Sequence, residues 1–131
     1  MIAAGNAVQL ALFAHLEGDA DLIKFFRPRL IEGQDWPQFS FDGMISEWRH
    51  EPLGLVRHQA EFSIWADLQA IADTQDLSDR LSARLSEGFA VEGFEVIYTH
   101  MGAVTASPEA VSQLWRSRVS FEILTQDQEA I

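Results

Sequence analysis

The stretch Arg57-His58-Gln59-Ala60-Glu61-Phe62-Ser63-Ile64-Trp65-Ala66-Asp67 alternates apolar and polar side chains with a period of two. Near the end of the chain, Arg116-Ser117-Arg118-Val119-Ser120-Phe121-Glu122-Ile123 alternates in the same way. A strand shows this pattern when one face of its sheet is buried and the other is not. We therefore predict two strands. Their inward residues are Val56, His58, Ala60, Phe62, Ile64, Trp115, Val119, Phe121 and Ile123, and their outward residues are Arg57, Gln59, Glu61, Ser63, Arg116, Arg118, Ser120 and Glu122.

Two further strands and a hairpin are predicted around this pair. The first strand covers residues 39–48, with a possible bulge at Gly43, and a turn over residues 50–54 joins it to the next strand as an antiparallel hairpin. The third strand covers residues 94–100, with Phe94, Val96 and Tyr98 on one face. Residues 27–37 and 101–113 read as loops, the second with a possible helical turn after Pro108, and residues 125–131 as a polar, frayed end.

Three helical segments complete the prediction. Asn6 can cap a helix that ends at Leu16, and Asp19 can cap a short helix over residues 20–26. A third helix covers residues 68–87 before Gly88, and its apolar stripe is imperfect near Thr74, where a break is possible. The whole pattern predicts an α+β fold with a mostly antiparallel sheet of about four strands and helices packed on one face. A length of 131 residues fits a single domain, residues 1–131.

The composition restricts the classes of function. The chain has 20 acidic residues against nine Lys and Arg, a net charge of −11, and Lys24 is its only lysine. Binding to nucleic acid needs clustered cations, so a DNA-binding surface is disfavoured. The absence of cysteine excludes disulfides, thiolate metal sites and a Cys nucleophile. We expect no membrane span, since no apolar run is long enough, and a cytoplasmic location, since the start is unlike a secretory signal.

Histidine is the most plausible source of hidden chemistry. His50, His58 and His100, with Asp42 or Glu61, could form a metal or acid–base site if the strands brought them together. Their spacing matches no metal-ligand pattern, and the chain also lacks GxSxG, GxGxxG and GxxxxGKS motifs. We therefore predict no catalytic residue, cofactor or metal. A small His-dependent hydrolase and a ligand-binding module, which would need an apolar pocket under the helices, remain the alternatives.

Interface residues are the better candidates. Trp48, Arg49 and His50 open the hairpin loop, and aromatic residues with Arg are over-represented in interface hot spots. A tryptophan folded back over the edge of the core fits the sequence equally well. Three outward arginines can pair with acidic residues across the strands or with a neighbouring subunit. The candidate subunit or ring interface is therefore Trp48, Arg49, His50, Arg57, Arg116 and Arg118.

Several segments together resemble a known family. They are an opening helix over residues 8–16, Asp19-Ala20-Asp21-Leu22, Pro37-Gln38-Phe39-Ser40-Phe41, the strand from His58 to Trp65 entering a helix, and Arg118-Val119-Ser120-Phe121-Glu122-Ile123. In order and content they look like the tail completion, or tail terminator, proteins of long-tailed phages and gene transfer agents. The resemblance covers nearly the whole chain, although residues 27–36 are less like the family.

This resemblance implies a structural virion protein without an active site or cofactor. It implies a ring, expected to be a hexamer, that ends the polymerisation of the tail tube and joins the tail to a head-side connector. DNA would pass through the lumen without specific binding, and an acidic subunit is compatible with that. The loop from Glu47 to Leu53 is then where contact with a neighbouring ring is expected. A head-side stopper or connector of the same particle is the alternative within the structural class.

Overall fold

The computed structural model describes residues 3–28, 36–67, 70–109 and 114–128. The chain begins with helix α1 (Ala3–Glu17) and the short helix α2 (Ala20–Ile23). Strand β1 (Gln38–His50) and strand β2 (Leu55–Ala66) follow, joined by a single 3₁₀ turn (Glu51–Leu53). Helix α3 (Ile71–Ser86) then leads to the last two strands, β3 (Phe94–Glu109) and β4 (Leu114–Asp127).

The four strands form one sheet in the order β1-β2-β4-β3, and every neighbouring pair is antiparallel. The register runs straight across the sheet, so that Ile45, Gln59, Glu122 and His100 stand in one row. The predicted α+β class and the four-stranded antiparallel sheet are both confirmed. β1 and β3 are the two edges of this sheet, and the surfaces considered below lie on them.

The core lies between one face of the sheet and the helices. Leu12 and Leu16 of α1 and Leu81 of α3 pack in one apolar cluster with inward residues of the sheet. Burial on one side alone is ordinary for an antiparallel sheet. The prediction of helices on one face is confirmed, as is the inward face of the two central strands. The predicted inward residues of β2 and β4 that are buried are Val56, His58, Ala60, Phe62, Ile64, Val119, Phe121 and Ile123. Ser117 and Thr125 of β4 are buried as well, although they were not predicted to be.

Bulges in the edge strands decide which side chains reach each face. The predicted irregularity at Gly43 is present, since the pairing with β2 shifts between Phe41 and Gly43. Gly43 has a φ of 146°, a conformation that L side chains rarely adopt. A second shift in β3, between Val96 and Tyr98, was not predicted. This shift reverses the alternation of side chains, so Tyr98 faces outward. The prediction that Tyr98 lies on the same face as Phe94 and Val96 is therefore wrong.

The predicted ends of several elements also need correction. Asn6 lies inside α1 instead of capping it, and α2 ends at Ile23 instead of Phe26. Asp19 does cap α2, because its carboxylate accepts a hydrogen bond from the Leu22 amide. α3 continues through Thr74, whose hydroxyl donates to the Ile71 carbonyl at 2.6 Å instead of breaking the helix.

The largest error concerns the predicted loop over residues 101–113. β3 continues to Glu109, and Pro108 pairs in register with Trp115 of β4. Proline is tolerated there because β3 is an edge strand and needs no donor on its outer side. Thr125 was assigned to a frayed end, yet it is fully buried in β4. The predictions for residues 29–35, 68–69, 110–113 and 129–131 lie outside the described residues.

Among the helices in the described parts of the chain, none combines the length and apolar character that crossing a membrane requires.

Candidate assembly surfaces

The first surface lies where β1 extends past the cover of the helices. Residues 38–40 are buried, whereas every residue from Ile45 to His50 is exposed. We name Ile45, Trp48, Arg49, His50 and Leu53 the hairpin surface. Ile45 is 72% exposed and Leu53 47%. Exposed apolar groups grouped in this way are typical of sites that contact other proteins.

Trp48 is partly buried and partly exposed. It stands opposite Val56 on the inward side of the sheet and lines a shallow groove beside Gly5 and Gln9 of α1. The indole therefore does fold over the edge of the core. It nevertheless keeps 38% of its surface exposed, next to the exposed residues Arg49 and His50. A partly anchored, partly exposed tryptophan is well suited to be an interface anchor because little side-chain entropy is left to lose.

A polar ladder crosses all four strands on the outward face. The Arg57 guanidinium contacts the Glu47 carboxylate on one side, and its Nη1 lies 3.4 Å from Glu122 Oε1 on the other. The Tyr98 hydroxyl donates to Glu122 Oε2 at 3.0 Å, and His100 Nε2 lies 3.6 Å from that oxygen. Partial burial and then the Glu122 carboxylate raise the pKa of Tyr98. Arg57 thus pairs across the strands, which is one of the two alternatives left open by the sequence, and such exposed pairs contribute only tenths of a kcal/mol each.

A second polar cluster fixes Arg116. Its Nε donates to Ser63 Oγ at 2.9 Å, and its Nη2 lies 3.3 Å from Asp42 Oδ2. The Ser63 hydroxyl donates to the same Asp42 oxygen at 2.5 Å, and the guanidinium lies over the Trp65 ring, 4.7 Å from its centroid. The side chain is therefore held by its own subunit. Within the outward face, Arg118 stands opposite Ser63 and is the more exposed arginine.

The core contains a polar relay centred on His58. Ser46 Oγ lies 2.7 Å from His58 Nδ1, and Thr125 Oγ1 lies 2.9 Å from His58 Nε2, so the relay joins β1, β2 and β4. A neutral imidazole needs one donor and one acceptor, and each hydroxyl can serve as either. Burial lowers the pKa of His58 from 6.5 to about 4, because the charged form would lose its hydration. Neutral His58 thus links three strands.

This arrangement does not assemble the histidine site considered from the sequence. His58 faces the core, His100 lies on the outward face in the row of Glu122, and His50 ends β1. Among the described residues, no group of three potential ligands could hold a metal ion. Ser46 and His58 are close enough for a nucleophile and its base. The other ring nitrogen, however, meets the Thr125 hydroxyl instead of the carboxylate of a catalytic triad, and a base with a pKa of about 4 is weak at neutral pH.

The groove between α2 and α3 does not favour a small apolar ligand. It has a volume of about 330 Å³ and is open to solvent. Trp36 and Phe25 contribute to it, but so do four charged side chains, namely Lys24, Asp73, Asp76 and Arg80. Ligand pockets are typically concave and mostly apolar, with few polar groups. This groove lacks that character.

Comparison with known proteins agrees with the fold. No family model matches the chain, and no curated protein matches it. Several chains among the solved structures do match. One of them belongs to the virion of a native gene transfer agent particle, with a TM-score of 0.78 and 14% sequence identity. The match covers 93% of this chain and 96% of that chain, so the two share the same fold over almost their whole lengths.

Proposed function

We propose that this protein is a structural subunit of a phage-like particle. The observation that carries the proposal is the match with a chain of a gene transfer agent virion, which covers nearly all of both chains. Because the match covers nearly the whole length of both chains, it favours a similar role in a particle more than a partial match would. The arrangement of Ser46, His58 and Thr125, which suits a structural relay better than a catalytic site, points in the same direction.

Within such a particle, we propose that the protein forms a ring, expected to be hexameric, that ends the tail tube. One face of the ring would match the last ring of the tube, and the other would not accept another tube subunit but would join the head-side connector. Repetition of one subunit through two different interfaces closes into a ring when the rotation per subunit permits it. The sequence resemblance to tail terminators and the exposed hairpin surface support this role.

The charge of the chain fits a lumen that DNA crosses. With a net charge of −11 and a single lysine, the subunit has no excess of cations that would hold the phosphate backbone. On the outward face, Arg57 and Arg116 are engaged with Glu122 and Asp42 of the same subunit. DNA would therefore pass along the ring without specific binding.

The tip of the hairpin surface, Trp48 and Leu53, is proposed to contact the neighbouring ring, with Trp48 as its anchor. Replacing Trp48 with Ala is expected to weaken binding to assembled tail tube by about 30-fold, which corresponds to the 2 kcal/mol or more of an interface hot spot. Co-sedimentation with tubes of the cognate tail-tube protein measures this. Leu10→Ala is the matched control, since Leu10 is 73% exposed but lies on α1. Equal binding by the two variants would remove the hairpin surface from the account.

A head-side stopper remains the second candidate, because the fold match alone is to a virion chain and gives no position within the particle. Pull-down against purified tube protein and against purified portal-side protein separates the two roles. We expect the tube protein to retain this protein, and the portal-side protein to bind it only after it has formed a ring on the tube. Retention on the portal-side protein alone would reassign the protein as a stopper.

A further inference from the structure

We propose that the ring is held together by its sheets, with the β1 edge of one copy added to the β3 edge of the next. This inference rests on the proposed ring and names the surface that builds it. The inference is drawn from the two edge strands, β1 and β3. They differ in sequence, but their exposed segments lie level with each other along the strand direction. An open edge presents unpaired backbone groups and is a natural template for another chain.

The sheet topology makes β1 of one copy antiparallel to β3 of the next. The strands alternate in direction across β1-β2-β4-β3, so β1 and β3 run in opposite directions. A copy rotated about a ring axis keeps its up direction and its outward face. Its β1 therefore meets the β3 of its neighbour antiparallel, and the pattern of the sheet continues unbroken. The interface is heterologous, as a closed ring of identical subunits requires.

The two edges present their exposed groups at the same end of the sheet. Across the register, Ser46 is in the row of Thr99, and Trp48 is in the row of Val96. Residues 45–50 of β1 and residues 94–100 of β3 consequently lie at equal heights. A level ring would bring these two segments together without a shift along the strands.

The β1 edge is open at this height. In the described part of the chain, β1 is covered on its outer side only near its start, where the Phe39 amide donates to the Phe25 carbonyl at 2.9 Å and the Arg27 amide donates to the Phe39 carbonyl at 2.9 Å. Between its two irregularities β1 is regular over residues 43–48, and β3 is regular over residues 98–101. These segments are long enough for a short antiparallel ladder.

The side chains on the two edges are complementary. On the outward face, Ile45, 72% exposed, would stand level with His100 and diagonal to Tyr98, which is 39% exposed. Ile97, 44% exposed, adjoins Tyr98 on the same edge. At the end of the sheet, Arg49 and His50 would approach the exposed carboxylates of Glu92 and Glu95. Arg49 is available for this, since its side chain is 55% exposed and its pair with Glu47 is long, at 3.5 Å. An apolar side chain thus approaches an aromatic ring, and the Arg49 guanidinium approaches carboxylates.

The test uses one blocked edge at a time. Ile45→Lys closes the β1 edge and leaves β3 open, whereas Ile97→Lys does the reverse. Each variant alone is expected to be monomeric by light scattering and native mass spectrometry under conditions where the wild-type protein assembles. Mixed together, the two variants have one intact pair of edges and are expected to form a one-to-one heterodimer that grows no further. Gln75→Lys, on the exposed side of α3, is the control for the added lysine and should assemble normally.

A charge exchange checks the contact itself. Arg49→Glu alone and Glu95→Arg alone are each expected to weaken assembly about tenfold, and the double variant should recover most of the loss. Persistent rings in both lysine variants would overturn the edge contact while leaving the ring intact. A homodimer of Ile97→Lys would replace it by two-fold pairing between β1 strands. If neither the wild-type protein nor the mixture of variants assembled, the edge contact would also be overturned. The proposed function would then be tested separately by binding to the tail tube.

Discussion

Acidification from about pH 7 to about pH 4 is expected to remove about 3 kcal/mol of folding free energy through His58 alone. In the native protein His58 is fully buried between Ser46 and Thr125, and burial lowers its pKa from 6.5 to about 4. In the unfolded chain His58 is therefore protonated below about pH 6.5, whereas in the native state it stays neutral down to about pH 4. Because the folded pKa is the lower one, the stabilisation is complete above pH 6.5 and is lost as the pH falls through this window.

The measurement is chemical denaturation across this pH range for the wild-type protein and for His58→Gln. The variant has no titrating side chain at this position, while the carboxylates and the other histidines titrate in both proteins. We expect the wild-type protein to lose about 3 kcal/mol more than the variant over the window. A direct NMR titration of the His58 ring should place its pKa near 4. Parallel stability profiles, or a His58 pKa near 6.5, would contradict a buried neutral relay.

Replacing Phe121 with Ala is expected to cost about 4 kcal/mol of unfolding free energy, the largest single effect that we predict. Phe121 is fully buried on β4 and stands between Ala60 of β2 and Met101 of β3. Ala60 is too small to fill the space that the ring would leave. The variant therefore loses both the burial of the ring and the packing of the core against the sheet.

Urea denaturation monitored by tryptophan fluorescence measures this loss, with Ser120→Ala as the control. Ser120 is the preceding residue on the same strand and points to the outward face, where its replacement should change stability by no more than about 0.5 kcal/mol. A similar loss in both variants would mean that the inward and outward faces of β4 are wrongly assigned.

The regular alternation of β2 and β4 could be predicted from the sequence because both are central strands with one covered face. His58 was placed inward on that basis, but its partners were not predicted. Ser46 lies on β1, whose register with β2 shifts at Gly43, and Thr125 was assigned to the polar end of the chain. A register shift also explains the error at Tyr98. One extra residue in β3 reverses the side chain, and nothing in the local sequence marks the shift.

Of the candidate interface residues, Trp48, Arg49 and His50 could be placed at the hairpin from the sequence, and their role at an interface stays a prediction. Trp48, Arg49 and His50 are exposed where β1 leaves the cover of α1. Arg57 and Arg116 were harder to predict, since their pairing depends on side chains from other strands. Asp42 reaches Arg116 beside the bulge at Gly43, and Glu122 reaches Arg57 from the neighbouring strand β4. Their roles at an interface remain predictions.

The most direct measurement of the central claim is electron cryo-microscopy of tail tubes assembled from the cognate tube protein in the presence of this chain. We predict one added layer of density at one end of each tube, a closed ring into which the fold fits. Trp48 and Leu53 of the hairpin surface should face the adjoining ring. Bare tube ends, or density of this fold repeated along the tube, would contradict a ring that ends the polymer.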